Sequence, residues 1–302
     1  MPKNKRKSQK KKYLKKINCN PVIKNKTIKA NSCMTKKALL DLKKSFNASH
    51  PNEIIKATKL EEIWHELNIK IKNCNREDCW LKEINNETKR KALESELFAP
   101  KQPKEWKTNP SSWLSNFDIL DVLHQYEKAY SEFEFIGPTP IDFDSKPDGK
   151  RCVWADLCKF NLQDKIGKKK KIGVIFNLDK HYEDGSHWTS LFIDLENDFL
   201  FYLDSTGEER PGEVDILVKK IMNQGLYLNT PKKFKFYENS LGHQTGNNEC
   251  GMYSLYFIIT MLTNKKKDVK FKTLQDKIDY FLKTRISDDD AFKYRKIYFN
   301  EI

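Results

Sequence analysis

The chain has 302 residues and carries a formal net charge of +14. This length suits one large domain, or a main domain with a smaller companion, and 38% hydrophobic residues allow a substantial core. The longest apolar run, residues 251–262, is well short of the ~20 residues of a membrane-spanning helix, which excludes such a helix, and we expect no membrane partner. Because no apolar stretch near the N-terminus resembles a secretory signal, we expect a reducing compartment in which the seven cysteines are free thiols.

The excess positive charge is confined to the N-terminus. Residues 1–40 contain 14 Lys/Arg and no acidic residue, whereas the remainder contains 42 Lys/Arg and 42 Asp/Glu. Dense like charge with few apolar side chains predicts a disordered basic tail over residues 1–35. Two interpretations of the lysine-rich residues 3–16 stay open, which are attraction to a polyanion such as nucleic acid and a simple solvated leader.

Residues 36–98 have the pattern of a small helical arm domain. Thr35 is a candidate N-cap for a first helix, and further helical patterns cover residues 59–73 and 85–98. The apolar stripe of the first helix consists of Ala38, Leu39, Leu42 and Phe46.

A structural zinc site is the alternative use of the cysteines in this arm. Cys74 and Cys79, with the distant Cys33, do not have the spacing of a four-ligand site. We therefore expect thiols buried in the core rather than zinc ligands.

A proline-containing segment, residues 99–113, marks the start of a second domain that we assign to residues 99–302. The pattern predicts strands at residues 171–178 and 232–239 and a β-hairpin from residues 187–195 and 199–204, with a capped helix before them. Further helices are predicted at residues 213–226, from residue 250 onward and in the 270s, followed by a polar C-terminal segment. Strands and helices without strict alternation indicate an α+β fold.

Cys250 lies where a polar loop meets an apolar run. The loop includes Gly242, Gly246 and Asn247, and residues 250–262 are apolar on nearly every face of a helix. In the first turn of a buried helix, unpaired backbone N–H groups and the helix dipole stabilise a thiolate. The alternative is an inert cysteine of the core, so a nucleophile requires further residues.

His187 and Asp204 supply a base and a group that orients it. If the hairpin turns with two residues, His187 stands opposite Thr206, and Asp204 is its diagonal neighbour on the same face, within side-chain reach. A shift of one residue in the register would put the two side chains on opposite faces. His181 is the rival base, although it lies in a polar loop with no strand to fix it. Gln244, six residues before Cys250, is a candidate donor to the oxyanion of a tetrahedral intermediate.

The order His, Asp, Gln, Cys, with "HW" at residues 187–188 and "Q-x5-CG" at residues 244–251, resembles the ubiquitin-like-protein-specific (SUMO-protease-like) family of the adenain-type clan. A second motif, "SWLSNFDI" at residues 112–119, is similar to the "WLND" segment of that family, and the resemblance covers about residues 105–265. It implies a papain-like cysteine protease fold with a circularly permuted catalytic order, whose central mixed sheet packs against a buried helix that carries the nucleophile.

The resemblance also implies residue roles. Cys250 would attack, His187 would act as base, Asp204 would orient it, and Gln244 with the Cys250 backbone N–H would bind the oxyanion, without a metal or organic cofactor. Two residues, Trp113 and Trp188, would flank a narrow tunnel for a Gly-Gly dipeptide, because two indole faces leave no room for a substrate Cβ.

One departure concerns the grip on a ubiquitin-like protein. Ser115 and Asn116 stand where deconjugating enzymes have Asn and Asp, so the acidic residue of that grip is missing. The helical arm and the C-terminal segment, residues 285–300, instead resemble polyprotein-processing proteases of large DNA viruses, such as that of African swine fever virus.

This second resemblance implies a cysteine endopeptidase that cleaves viral structural polyproteins after Gly-Gly during virion maturation. It would act in the host cytoplasm (the viral factory) and the virion, with the nucleus as an alternative because of the basic tail. A deconjugating isopeptidase, an acyltransferase and a non-enzymatic nucleic-acid-binding virion protein are the other hypotheses.

Overall fold

A computed structural model describes residues 14–266 and 269–302. The chain divides between Pro100 and Lys101 into two compact units, and the expected boundary at residues 98 and 99 lies beside this division. Within the described part of the chain, none of the helices combines the length and the apolar character needed to cross a membrane.

The first unit is helical. Thr35 accepts a hydrogen bond from the backbone N–H of Ala38 at 3.3 Å and so caps the first helix. All four residues of the predicted stripe are buried, which confirms that helix. The helices of this unit are α1 (Lys36–Ser49), α2 (Leu60–Lys70), α3 (Glu77–Trp80) and α4 (Glu87–Leu97), with short 3₁₀ turns at Pro21–Ile23 and Leu81–Glu83.

The prediction of a disordered tail is wrong for residues 14–35. Ile23, Cys33 and Met34 are buried in the core of the first unit. The buried Glu77 carboxylate accepts hydrogen bonds from the Ser32 hydroxyl at 2.6 Å and the Cys33 N–H at 2.7 Å. A few apolar residues and a partner more than forty positions away therefore order a segment whose local composition is basic and polar. Residues 1–13 lie outside the described residues.

Six of the seven cysteines form disulfides, so the expectation of free thiols is wrong for them. The pairs are Cys19–Cys33, Cys74–Cys79 and Cys152–Cys158, at sequence separations of 14, 5 and 6. Local turns bring each pair together, and irregular spacing gives no sign of this in the sequence. The remaining thiol of the described residues belongs to Cys250.

The second unit combines helices with a mixed sheet. Its helices are α5 (Asn116–Ala129), α6 (Ala155–Cys158), α7 (Gly212–Leu226), α8 (Cys250–Thr263), α9 (Leu274–Lys283) and α10 (Asp288–Tyr298), with 3₁₀ turns at Lys104–Lys107 and Leu162–Asp164. Its strands are β1 (Phe133–Pro140), β2 (Lys171–Asn177), β3 (Trp188–Asp194), β4 (Phe199–Leu203), β5 (Lys235–Glu238), β6 (Lys265–Lys266) and β7 (Val269–Lys270).

The central sheet has the strand order β1-β2-β3-β4-β5. The two outer pairs, β1–β2 and β4–β5, are parallel, whereas β2–β3 and β3–β4 are antiparallel. The predicted strands and hairpin are therefore confirmed, but the edge strand β1 was not predicted. A helix, α10, replaces the expected polar C-terminal segment and begins with Ser287 as its N-cap. The mixed sheet with its helices confirms the α+β fold.

Helices cover both faces of the sheet. Successive side chains of a strand point to opposite faces, so Phe192 and Phe201 join the hydrophobic cluster around α8, whereas Leu191 and Tyr202 join the cluster around α7. Because α8 also packs against other helices, residues 250–262 are all buried. This layer arrangement fixes the N-terminus of α8 beside the start of β3 and the end of β4.

Candidate active site

The β3–β4 hairpin brings His187 and Asp204 together. Ser190 pairs with Leu203 and Asp194 with Phe199, which is the register that places His187 diagonally from Asp204. The distance from His187 Nε2 to Asp204 Oδ1 is 2.8 Å. The predicted register is therefore the observed one, and the imidazole has a fixed orientation.

Asp204 is held by several hydrogen bonds. Its Oδ1 accepts from the Thr206 N–H and hydroxyl, both at 2.8 Å. The buried Asn239 side chain accepts from the Asp204 N–H at 3.0 Å and donates to the Asp204 carbonyl at 2.7 Å. Burial alone would raise the pKa of the Asp204 carboxyl, but the bonds from His187 and Thr206 and the His187 charge hold that pKa below its ordinary value. Asp204 is thus an ionised orienting group.

Cys250 is the first residue of α8 and is 2% exposed. Its side chain lies close enough to His187 to affect the imidazole, and since Nε2 faces Asp204, Nδ1 is the ring nitrogen left for the sulfur. Burial lowers the pKa of His187, but the hydrogen bond to Asp204 and the interactions with Asp204 and Cys250 outweigh it and raise the pKa to about 10. The imidazole is therefore protonated at neutral pH and can stabilise a thiolate beside it.

Gln244 is oriented by Ser205, the residue after Asp204. The Ser205 hydroxyl donates to Gln244 Oε1 at 2.7 Å, and the Ser205 carbonyl accepts from the Gln244 N–H at 2.8 Å. Because Oε1 is the acceptor, the orientation of the amide is defined, and Nε2 donates to the Gly246 carbonyl at 2.6 Å. A carboxamide carries two N–H groups, so one remains for an oxyanion.

The two tryptophans differ in exposure. Trp188 is 8% exposed and its indole N–H donates to the Leu114 carbonyl at 3.2 Å, whereas Trp113 is 43% exposed and its N–H donates to Asn248 Oδ1 at 3.3 Å. Both therefore connect the segment before α5 with the nucleophile region. Gly251 explains the "CG" pair, since a Cβ there would lie 3.2 Å from Leu114 Cβ and 3.3 Å from Trp188 Cδ1.

His181, the rival base, lies with another carboxylate. Its Nδ1 is 2.6 Å from Asp142 Oδ2, and its backbone N–H donates to Asp142 Oδ1 at 2.9 Å. This pair anchors the loop before β3, and the imidazole that contacts Cys250 is that of His187.

Sequence reasoning missed four residues that support the site. Two of them had a local signal, since Ser205 adjoins Asp204 and Asn239 is the last residue of the predicted strand at residues 232–239, directly after the observed β5. The other two, Glu249 and Arg295, form a buried ion pair across 46 positions, which no local pattern indicates.

Comparison with known proteins supports a protease. Residues 148–296 match the model of the "Ulp1 protease family, C-terminal catalytic domain". An inferred thiol protease of Acanthamoeba polyphaga mimivirus is 33% identical over 162 residues, which cover 52% of this chain and 50% of that protein. A cysteine protease of African swine fever virus is 29% identical over 216 residues, which cover 68% of this chain and 72% of that protein.

The fold agrees with these matches. The crystal structure of an African swine fever virus protease aligns with a TM-score of 0.63 at 20% sequence identity, covering 96% of this chain and 97% of that chain. With a free thiol at the start of α8 and an imidazole beside it that is hydrogen-bonded to Asp204, the second unit carries a Ulp1-like cysteine peptidase domain.

Proposed function

We propose that this protein is an endopeptidase that cleaves viral structural polyproteins after Gly-Gly during virion maturation. The observation that carries the proposal is the contact between the partly exposed His187 and the buried Asp204, 2.8 Å apart, beside Cys250 at a helix N-terminus. Its cysteine-protease relatives in two large DNA viruses support a viral protein substrate.

The proposed chemistry is acyl transfer through a thioester. The Cys250 thiolate attacks the scissile carbonyl, and as the C–N bond breaks, His187 gives its proton to the leaving amine. Water then attacks the thioester while His187 accepts a proton, which releases the carboxylate product and restores the thiolate–imidazolium pair. Asp204 keeps the imidazole oriented, and Gln244 Nε2 with the Cys250 N–H binds the oxyanion.

The proposed selectivity for Gly-Gly is supported by the close packing around the thiol. Cys250 is 2% exposed, and Trp188 and Leu114 pack against the neighbouring Gly251. The exposed indole of Trp113 adds a second flat wall, tied to the nucleophile loop through Asn248. Such walls admit a glycine backbone more readily than a residue with a Cβ.

Deconjugation of a ubiquitin-like modifier is the second candidate, because a relative in another African swine fever virus isolate is named a SUMO-1 cysteine protease. The acidic grip expected for that activity is replaced here. Asn116 is the first residue of α5, and Ser115 and Asp118 form a capping box, so the nearby carboxylate serves the helix terminus.

The deciding experiment compares two substrates with the wild type and Cys250→Ala. One is a peptide with an internal Gly-Gly-Xaa bond, and the other is a ubiquitin-like protein with a fluorogenic group on its terminal Gly-Gly. We expect preference for the peptide and no turnover by Cys250→Ala. Preference for the folded modifier would establish deconjugation instead, and cleavage of neither would refute both candidates for the isolated chain.

The basic N-terminus is proposed to hold the enzyme on packaged nucleic acid in the viral factory and the virion. Residues 1–13 contain seven Lys/Arg, and each phosphate contact adds roughly 0.7–0.9 to the slope of log affinity against log salt. Deleting residues 1–13 should weaken DNA binding at low salt and flatten that slope. Equal binding by the deletion variant would contradict the proposal.

A further inference from the structure

We propose that Arg295, on α10, is a positioning residue. Through Glu249 it holds Cys250 in a fixed position relative to residues 110–113, the segment that ends at Trp113. Its test by enzyme activity rests on the proposed function. Its second test measures the reactivity of the Cys250 thiol and needs no substrate. Arg295 lies outside the predicted site and far along the chain from both segments.

Arg295 and Glu249 form a buried, two-pronged ion pair. Their side chains are 3% and 7% exposed. Arg295 Nε lies 2.9 Å from Glu249 Oε2, and Nη2 lies 2.8 Å from Glu249 Oε1. Glu249 directly precedes Cys250 and is the N-cap residue of α8, without a side-chain cap bond of its own. Its carboxylate therefore ties the start of the nucleophile helix to α10.

The remaining donors of the same guanidinium bind backbone carbonyls on two segments. Nη1 donates to the Ser112 carbonyl at 2.8 Å and to the Pro110 carbonyl at 3.2 Å, just before Trp113. Nη2 donates to the Asn248 carbonyl at 3.2 Å, just before Glu249. One planar group thus fixes the spacing between the segment that carries the exposed indole and the segment that carries the thiol.

The surroundings preserve the plane of this group. The guanidinium lies 4.3 Å from the ring centre of Trp106, whose indole N–H also donates to the Ser112 carbonyl at 3.0 Å. Arginine combines five donors in a rigid plane with stacking on an aromatic ring, and lysine offers neither property.

Stability alone does not account for such a pair. Two buried charges cost several kcal/mol to desolvate, and well-packed apolar residues of similar volume often serve a core equally well. What the charged pair adds is direction, because Nε and Nη2 bind residues 248–249 while Nη1 binds carbonyls of residues 110 and 112. The same helix holds a third segment, since Asp288 Oδ2 accepts from the Thr245 hydroxyl at 2.6 Å and the Gly246 N–H at 2.9 Å, next to Gln244.

The test compares Arg295→Lys with Arg210→Lys. Arg210 is a matched control because it also has two carboxylate partners, Asp215 and Glu238, and lies 4.6 Å from the Phe236 ring centre, but it contacts neither segment. We expect Arg295→Lys to lose about 10- to 100-fold in kcat/KM, as misplaced reacting groups do. Arg210→Lys should stay within about twofold of the wild type.

Two measurements separate positioning from folding. Ethylguanidinium should restore part of the activity of Arg295→Ala, whereas ethylammonium should not, because only the planar cation can contact both segments. The rate of Cys250 alkylation by iodoacetamide at pH 6 should fall about tenfold in Arg295→Lys, since the thiol loses its contact with His187.

Equal effects of the two lysine variants on kcat/KM and alkylation would overturn the inference. So would a folded Arg295→Ala whose activity neither cation restores. If Arg295→Ala does not fold, Glu249→Gln takes its place, and unchanged alkylation at pH 6 in that variant would also contradict the inference. Wild-type protein that alkylates rapidly but cleaves no substrate would sink the proposed function and leave the positioning inference standing.

Discussion

Ser205→Ala tests how much the orientation of the Gln244 amide contributes to catalysis, because it leaves the amide itself in place. The substitution removes the hydroxyl that donates to Gln244 Oε1 at 2.7 Å and leaves the backbone bonds of Ser205 in place. Loss of a complete oxyanion donor costs about 10²–10³ in kcat, which we expect for Gln244→Ala. A neutral hydrogen bond contributes about 0.5–1.5 kcal/mol, so Ser205→Ala should lower kcat by about 2- to 12-fold with little change in KM.

The assay is steady-state cleavage of a Gly-Gly peptide by both single variants and the double variant. If Ser205 acts through Gln244, its substitution should have no further effect once Gln244 is alanine. Ser145→Ala is the control, because its hydroxyl donates to Asp142 at 3.2 Å, outside the site. Independent, multiplying losses in the double variant would refute the orientation role of Ser205.

Three further predictions concern stability and pH. A methyl group at Gly251 must displace Leu114 and Trp188, so Gly251→Ala should cost up to about 2 kcal/mol in thermal melts and lower kcat/KM by about tenfold. Burial lowers the pKa of Lys277 to about 8, and since the unfolded chain then binds more protons between pH 8 and 10.5, wild-type stability should rise over that interval. Lys277→Met should remove this rise, and its free energy of unfolding at pH 7, measured in urea titrations, should exceed that of the wild type by roughly 1–2 kcal/mol. A difference between the two proteins that does not shrink by pH 10 would contradict this. The pKa of His187 is raised to about 10, so its stabilising contribution is complete below pH 6.5 and disappears as the pH rises through 10. Asp204→Asn should therefore destabilise the protein by a few kcal/mol more at pH 7 than at pH 10.5.

The parts of the fold that the sequence predicted depend on local periodicity. The hairpin of β3 and β4 has a short turn, so pairing distances follow from counting residues, and this count placed His187 diagonally from Asp204. Burial on both faces makes the strands and α8 almost uniformly apolar, which is a strong pattern. The first helix was likewise predictable from its cap, Thr35, and its apolar stripe.

The missed elements depend on distant contacts. The edge strand β1 contains Gly137 and Pro138, which disguise a strand, and α10 begins with the acidic run Asp288–Asp290. Negative charges at a helix N-terminus are favourable, but the composition of this acidic run is equally typical of a polar coil. The order of residues 14–35 depends on the distant Glu77, whereas the three disulfides are local and were missed because the spacing of the cysteines is irregular.

The candidate site divides in the same way. Groups proposed to act on the substrate lie at the ends of strong elements, with His187 just before β3, Asp204 just after β4 and Cys250 at the start of α8, so their chemistry can be inferred from position. The groups that hold them have no such constraint. Arg295 reaches the Pro110 carbonyl across 185 positions, and any element that passes the site could supply such a donor. A change in α10 can therefore alter the geometry at Cys250 and Trp113 while the recognisable motif stays intact, which makes the supporting contacts the informative place to test whether this site is built for Gly-Gly.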